Sequence, residues 1–194
     1  MGFIIDMGNV LSLSVDIVPR IAEKVGLTVA QIESFTDDEF NEMVTGAQTA
    51  REFWADFNRH FGTAVREDLL STLFQPVNDE RVERLISELK VAGQRVVCGT
   101  NTIEAHYRYH VEHRDYEPFD RVYASHLLGL AKPAPAFFRR ILEEEGWKAG
   151  DTFFVDDNSV HVAAARKLGI RSFLYESFET LQAWLADQPV LAAR

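Results

Sequence analysis

Four short stretches of this sequence place chemically capable side chains directly behind apolar runs. Asp6 follows Phe3–Ile5, Thr100 and Asn101 follow Arg95–Cys98 and a glycine, and Asp156, Asp157 and Asn158 follow Thr152–Val155. Lys132 with Pro133 ends the loop after Arg121–Ala124. Each has an ordinary reading when taken alone. Asp-x-Gly-Asn is good turn chemistry, Thr100-Asn101 suits a helix N-cap, and a lone lysine is usually solvated. The coincidence carries more, because adjacent carboxylates repel unless a cation or a lysine neutralises them. Oxygen ligands from Asp6 and Asp157 suit Mg²⁺ better than zinc, for which the chain offers no Cys/His cluster. With Mg²⁺ and Lys132 offsetting charge, a phosphate dianion can sit beside Asp6, whose carboxylate oxygen attacks phosphorus while Thr100 donates a hydrogen bond to a phosphoryl oxygen. The expected reaction is phosphoryl transfer through an aspartyl phosphate.

The elements that must position these residues have two textures. Phe3–Ile5, Arg95–Cys98, Arg121–Ala124, Thr152–Val155 and Arg171–Tyr175 are continuous apolar runs, as strands of a parallel sheet covered on both faces should be. Between them come helical periods, Val82, Leu85, Ile86 and Leu89 before Gly93, then Phe138, Ile141 and Leu142 before Gly146, then Val160, Ala164 and Leu168 before Gly169. This alternation predicts an α/β, doubly wound (Rossmann-like) parallel sheet, whose ligands bind at the carboxyl edge of the strands. Residues 14–77 break the rhythm with several helices and no convincing strand. Thr28 with Gln31 and Thr49 with Glu52 look like capping boxes, and Phe53, Trp54, Phe57 and Phe61 share one helical face. A crossover needs one helix, so this interval reads as an inserted helical cap, leaving residues 1–13 and 78–194 for the core.

Composition narrows the function classes. Among 194 residues, 46% hydrophobic, twenty Lys+Arg face thirty Asp+Glu for a net charge of −10, so no basic block is available to track a phosphate backbone and no nucleic-acid partner is expected. The lone Cys98 excludes a disulfide scaffold and fits a reducing, cytoplasmic setting. No apolar stretch approaches the length of a membrane span, and Asp6 interrupts the opening apolar run, so neither a membrane partner nor a secretory leader is expected.

The four motifs, in this order and on these strand ends, resemble those of the haloacid dehalogenase (HAD) superfamily, in its phosphatase branch with a helical cap. Asp6-Met7-Gly8-Asn9-Val10 resembles the first motif, Thr100-Asn101 the second, Lys132-Pro133 the third and Asp156-Asp157-Asn158 the fourth. The resemblance implies that Asp6 is the nucleophile and that Asp6, Asp157 and the main-chain carbonyl of Gly8 are Mg²⁺ ligands. It gives Asp156 the task of holding the metal or Lys132, and Thr100, Asn101 and Lys132 that of binding the phosphoryl group. Most family phosphatases carry a second aspartate two residues after the nucleophile as general acid and base. Here Gly8 stands there, which implies a slow enzyme, a good leaving group or a proton donor from elsewhere. The Asp-x-Gly-Asn-Val form is similar to that of phosphatases acting on glucose 1-phosphate, so the expected substrate is a small phosphorylated metabolite such as a sugar 1-phosphate.

Specificity is expected from the cap, with the turn Thr45-Gly46-Ala47-Gln48 reaching into the site and Arg51 and Trp54 behind it. Plain packing is the competing reading for Trp54 and its aromatic neighbours. His106 and His110, at helical spacing after Thr100, are further residues that can face the cleft or simply pack. Two rivals remain. One is dehalogenation of a haloacid, against which Asp156-Asp157 argues. The other is a phosphate-binding or regulatory module without turnover, suggested by Gly8.

Overall fold

The computed structural model describes residues 1–188, apart from the side chains of residues 37–41. The core expected from the sequence extends to residue 194, and its last residues, 189–194, lie outside the described part. The central sheet has five strands, β1 (Gly2–Ile5), β4 (Arg95–Thr100), β5 (Arg121–Ala124), β6 (Thr152–Asp156) and β7 (Arg171–Leu174). Their spatial order is β5-β4-β1-β6-β7, and every neighbouring pair is parallel. The apolar runs predict these strands. Two of them continue further than the runs do: β4 includes Thr100 and β6 includes Asp156, because the ladder pairs Thr100 with Ala124 and Asp156 with Leu174.

Period two along β1 sorts the core into layers. Phe3 and Ile5 join Val82, Leu85, Ile86 and Leu89 of α5 (Glu80–Val91) and Leu181 and Leu185 of α10 (Phe178–Ala186) on one face. Ile4 points the other way, into Phe137, Phe138 and Ile141 of α8 (Pro135–Glu145) and Val162 and Ala165 of α9 (Ser159–Lys167). The sheet is thus buried on both faces, which is why its strands read as continuous apolar runs. Gly99 in β4 lies where α8 presses on the sheet. A Cβ there would come within 2.6 Å of Ile4 Cγ2 and 3.4 Å of Ile141 Cδ1.

Four helices leave the sheet region between β1 and α5: α1 (Val18–Val25), α2 (Val29–Val44), α3 (Ala50–Phe61) and α4 (Leu69–Thr72). Thr49 and Glu52 form the capping box that opens α3, and Thr28 and Gln31 exchange the corresponding bonds before α2. Gly26 and Gly62 close α1 and α3 in the left-handed conformation. The sequence predicts no strand in this interval, yet two very short strands bracket it. β2 (Ser12–Leu13) pairs antiparallel with β3 (Val77–Asn78), so the chain leaves and returns through one ribbon. Two residues per strand are too few to leave a periodic signal in the sequence. The helices share an apolar cluster of Ile17, Ile21, Phe53, Trp54, Phe57 and Leu70 that runs on to Ile103 and Ala105 beside α6 (Glu104–Glu112). No helix among the described residues is long and apolar enough to cross a membrane.

Adding a methyl group at Gly99 overpacks the α8 side of the sheet. Gly99→Ala should lower the unfolding free energy by about 1–3 kcal/mol, read from the midpoint of urea denaturation at constant slope. An unchanged midpoint would mean that Ile4 gives way freely.

Candidate active site

Parallel strands end on one side, so β1, β4 and β6 deliver Asp6, Thr100 and Asp156 to a common edge, with β1 between the other two. Asp6 continues the ladder of β1, since its N–H donates to Val155 O at 2.9 Å. Behind it the chain turns sharply: Asn9 has φ 54° and donates its N–H to Ser12 O, while Ser12 N–H returns to Met7 O. That turn aims the Asn9 side chain at Asp157, whose Oδ2 accepts from Asn9 Nδ2 at 2.9 Å.

Lys132 is the hub. Its Nζ lies 2.9 Å from Asp6 Oδ1 and 2.6 Å from Asp156 Oδ2, and its side chain has no solvent exposure. Asp6 Oδ1 also accepts from the N–H of Met7 at 2.8 Å. Asp156 is fully buried and has further partners on Oδ1, the N–H of Asn158 at 2.8 Å and His161 Nδ1 at 3.0 Å. Lys132 itself is located by Asn101. The Asn101 amide donates to Lys132 O and accepts from Lys132 N–H, both at 2.8 Å.

Burial opposes charge on all three central groups, and their mutual attraction divides the outcome. Lys132 is held charged because the two carboxylates outweigh its desolvation. Asp156 sits below the usual carboxylate range: burial resists its charge, but Lys132 and His161 prevail. Asp6 is the group left short. Desolvation pushes its carboxyl up to about 7 against the pull of Lys132, and the charge on Asp156 adds to the rise. One ammonium cannot neutralise two buried carboxylates. Carboxylate oxygens of Asp6, Asp156 and Asp157 lie within 4.8 Å of one another, an all-oxygen donor set that fits a hard divalent cation.

The structure therefore brings Asp6, Thr100, Asn101, Lys132, Asp156 and Asp157 together, with Gly8 beside them on a cavity that Thr100 and Asn101 also line. The resemblance gives Asn101 a phosphoryl group to bind, and its side-chain amide is instead engaged with the Lys132 main chain. The residues expected to reach in from the inserted helices lie elsewhere. Gly46 has φ 75° and a Cβ there would sit 2.3 Å from His126 O, so its turn packs on α7 (Ser125–Leu128), in a separate pocket with Gln48, Glu104 and Arg108. Arg51 and Trp54 line another pocket with Asn58 and Asp68. Trp54 is 7% exposed and donates its indole N–H to Asp68 at 3.0 Å, as packing within the helical module requires. Hydrophobic spacing along α3 does not say which side of the module faces the sheet. Sequence reasoning misses Asn9 and His161, the partners of Asp157 and Asp156. His161 lies in the first turn after the Asp156-Asp157-Asn158 motif, and that proximity is the available signal.

A family model for haloacid dehalogenase-like hydrolases matches residues 1–169, and the chain belongs to that family. A drimenol cyclase, drtB, from Aspergillus calidoustus is 38% identical over 73 residues, which are 38% of this chain and 14% of that protein. A sesquiterpene phosphatase, astK, from Aspergillus oryzae is 34% identical over 93 residues, 47% of each protein. The chain spans less than half the length of these curated relatives. The crystal structure of a HAD family enzyme from Bacteroides thetaiotaomicron, bt-2542, in complex with magnesium superposes with a TM-score of 0.75 at 26% identity, over 93% of this chain and 97% of that one.

The Asp6 carboxyl gives the metal-free protein a pH signature. Its folded value of about 7 lies above the ordinary value of 3.8, so its stabilising contribution is complete below about pH 4 and is lost as pH rises through 7. Asp6→Asn removes this loss. In chelator-treated protein the variant should exceed the wild type in unfolding free energy at pH 8 by an amount on the order of a few kcal/mol and melt higher, with the gap shrinking towards pH 4. Parallel melting curves across that range would show that Asp6 ionises without cost.

Proposed function

We propose that the chain is a Mg²⁺-dependent phosphomonoester hydrolase acting on a small phosphorylated metabolite through a phosphorylated Asp6. The observation that carries the reading is the buried Asp6–Lys132–Asp156 cluster with Asp157 at its rim. Its carboxylates outnumber its ammonium, an arrangement useful for receiving a cation and an anion together. The Asp6 and Asp157 carboxylates and the Gly8 carbonyl would hold Mg²⁺, which when bound supplies charge neutralisation for an incoming dianion.

A carboxylate oxygen of Asp6 forms a bond to phosphorus as the bond to the ester oxygen breaks, and the leaving oxygen departs with that electron pair and takes a proton from solvent water. Water then attacks the aspartyl phosphate, releasing inorganic phosphate and restoring the carboxylate. Lys132 offsets the negative charge gathered at the phosphoryl oxygens, and the Thr100 hydroxyl donates to one of them. Asn101 acts as a positioning residue, because its paired bonds to the Lys132 main chain fix where the ammonium stands. Asp156 and His161 hold that ammonium from the other side. Residues 14–77 act as the cap, covering the cavity that adjoins Gly8 through Val15, Ile17, Val18 and Phe74. The bt-2542 magnesium complex and the phosphatase among the curated relatives support this reading.

Inorganic phosphate should be released from a panel of small phosphate monoesters with Mg²⁺ and not with EDTA, and Asp6→Asn should abolish release while preserving the circular dichroism spectrum. Wild-type rates in Asp6→Asn would refute the nucleophile. Chloride release from chloroacetate would instead mark a dehalogenase, and stable phosphorylation of Asp6 by acetyl phosphate without turnover would mark a binding module.

Gly8 permits a sharper test. Its φ is not in the left-handed region, and among the described residues a Cβ there would meet only Val15 Cγ2 at 3.6 Å, so the backbone accepts a side chain. Gly8→Asp should raise the rate on unactivated alkyl phosphates by about tenfold or more, at the low edge of what general acid catalysis contributes. An unchanged rate would mean that another group already delivers the proton.

A further inference from the structure

The cavity beside Gly8 holds about 260 Å³ and is continuous with the strand end that carries Thr100 and Asn101. Much of its wall is apolar. Val15, Ile17 and Val18 line one part of it, and Phe74, His106 and Tyr116 another. Phe74 and His106 stack at 3.7 Å between ring centroids and 9° between planes, so the two rings form one aromatic surface. Burial pushes His106 down to about 4, so at neutral pH this surface carries no charge.

Several polar groups of the lining already have partners within the protein. The Asn101 amide is committed to the Lys132 main chain, His106 Nε2 lies 3.2 Å from Leu70 O, and His110 Nδ1 lies 2.7 Å from Asp115. Asp16, exposed at the same cavity, accepts from Val18 N–H at 3.0 Å. Tyr116 Oη is buried without a hydrogen-bond partner among the described residues. A polyol placed here would exchange water for walls that offer its hydroxyls few partners, and specificity built on hydrogen bonds needs those partners. An apolar group loses nothing on entry and covers apolar surface.

Resting on the phosphatase reading, we propose that this cavity receives the alcohol part of the substrate, and that the substrate class is the phosphate monoester of an apolar alcohol. At roughly 30 Å³ for each water-sized group, the cavity takes about nine such groups, which sets the size of the alcohol. This class replaces the sugar 1-phosphate expected from the first motif, which describes the phosphate end of the site and not the leaving group.

The test uses the whole chain with Mg²⁺ and two primary alkyl esters of similar leaving-group acidity, 3-phenylpropyl phosphate and glucose 6-phosphate, with acetyl phosphate as a probe of the aspartate chemistry alone. The kcat/KM ratio of the phenylpropyl to the hexose ester should exceed tenfold, and Val15→Ser should cut that ratio by about tenfold, the scale on which pocket contacts discriminate. Because the ratio is taken within one preparation, a partly unfolded variant does not alter it. Turnover of acetyl phosphate with a ratio at or below one, or a ratio untouched by Val15→Ser, would overturn the substrate class while leaving the phosphatase standing. Failure of acetyl phosphate both to turn over and to phosphorylate Asp6 would remove the phosphatase reading and this inference with it.

Discussion

Lys132 Nζ stands between Asp6 at 2.9 Å and Asp156 at 2.6 Å in a place without solvent, and one positive charge there must serve two negative ones. Everything else at this edge of the sheet supports that imbalance. Asp156 receives the N–H of Asn158 and His161 Nδ1, so it keeps its charge. Asn101 clamps the main chain of Lys132, which keeps the ammonium from withdrawing. Asp6, nearer the open side and served by Lys132 and one main-chain N–H, carries the unrelieved cost of ionisation. A divalent cation relieves that cost, and under the proposed function the same excess charge lets a carboxylate meet an anionic ester.

The topology makes the juxtaposition possible. β1 is the central strand, flanked by β4 and β6, so the residue after β1 has strand ends on both sides. Side-chain alternation in β1 then commits Phe3 and Ile5 to one helical layer and Ile4 to the other. The strands are buried from both sides, and the acidic and hydroxyl groups sit at or directly after their ends. The helices between β1 and α5 meet the rest of the chain through the short β2–β3 ribbon, through apolar contact with Ile103 and Ala105, and through the Gly46 turn against α7. Their inner surface contributes Val15, Ile17, Val18 and Phe74 to the cavity beside Gly8.

Much of this is legible in the sequence because it depends on local chemistry. Continuous apolar runs mark the five sheet strands, since burial on both faces removes the alternation that a half-exposed strand would show. Periodicity and capping boxes mark the helices around Val82–Leu89 and Thr49–Phe61. Position directly behind the runs singles out Asp6, Thr100, Asp156 and Asp157, with Lys132 at the end of the loop after Arg121–Ala124, because all strands of a parallel sheet end at one edge. The cap turn at Gly46 is a different case. Its glycine reflects close approach to His126 O, a contact with residues distant in sequence that no spacing rule encodes.

The sequence by itself determined the sheet, the inserted helical module and the kinds of group available at the sheet edge, because these depend on periodicity and residue type within short windows. Only the tertiary structure decided which partner each group takes. It set Asn101 on the Lys132 main chain, His161 on Asp156, Asn9 on Asp157 and Trp54 inside the helical module. It also decided that the space beside Gly8 is walled by valine, isoleucine and a phenylalanine–histidine stack. Three of these residues lie soon after the first motif, at Val15, Ile17 and Val18, and the stack is supplied by Phe74 and His106 from far along the chain. A cavity is a property of surfaces meeting across such separations, and folding alone brings them together.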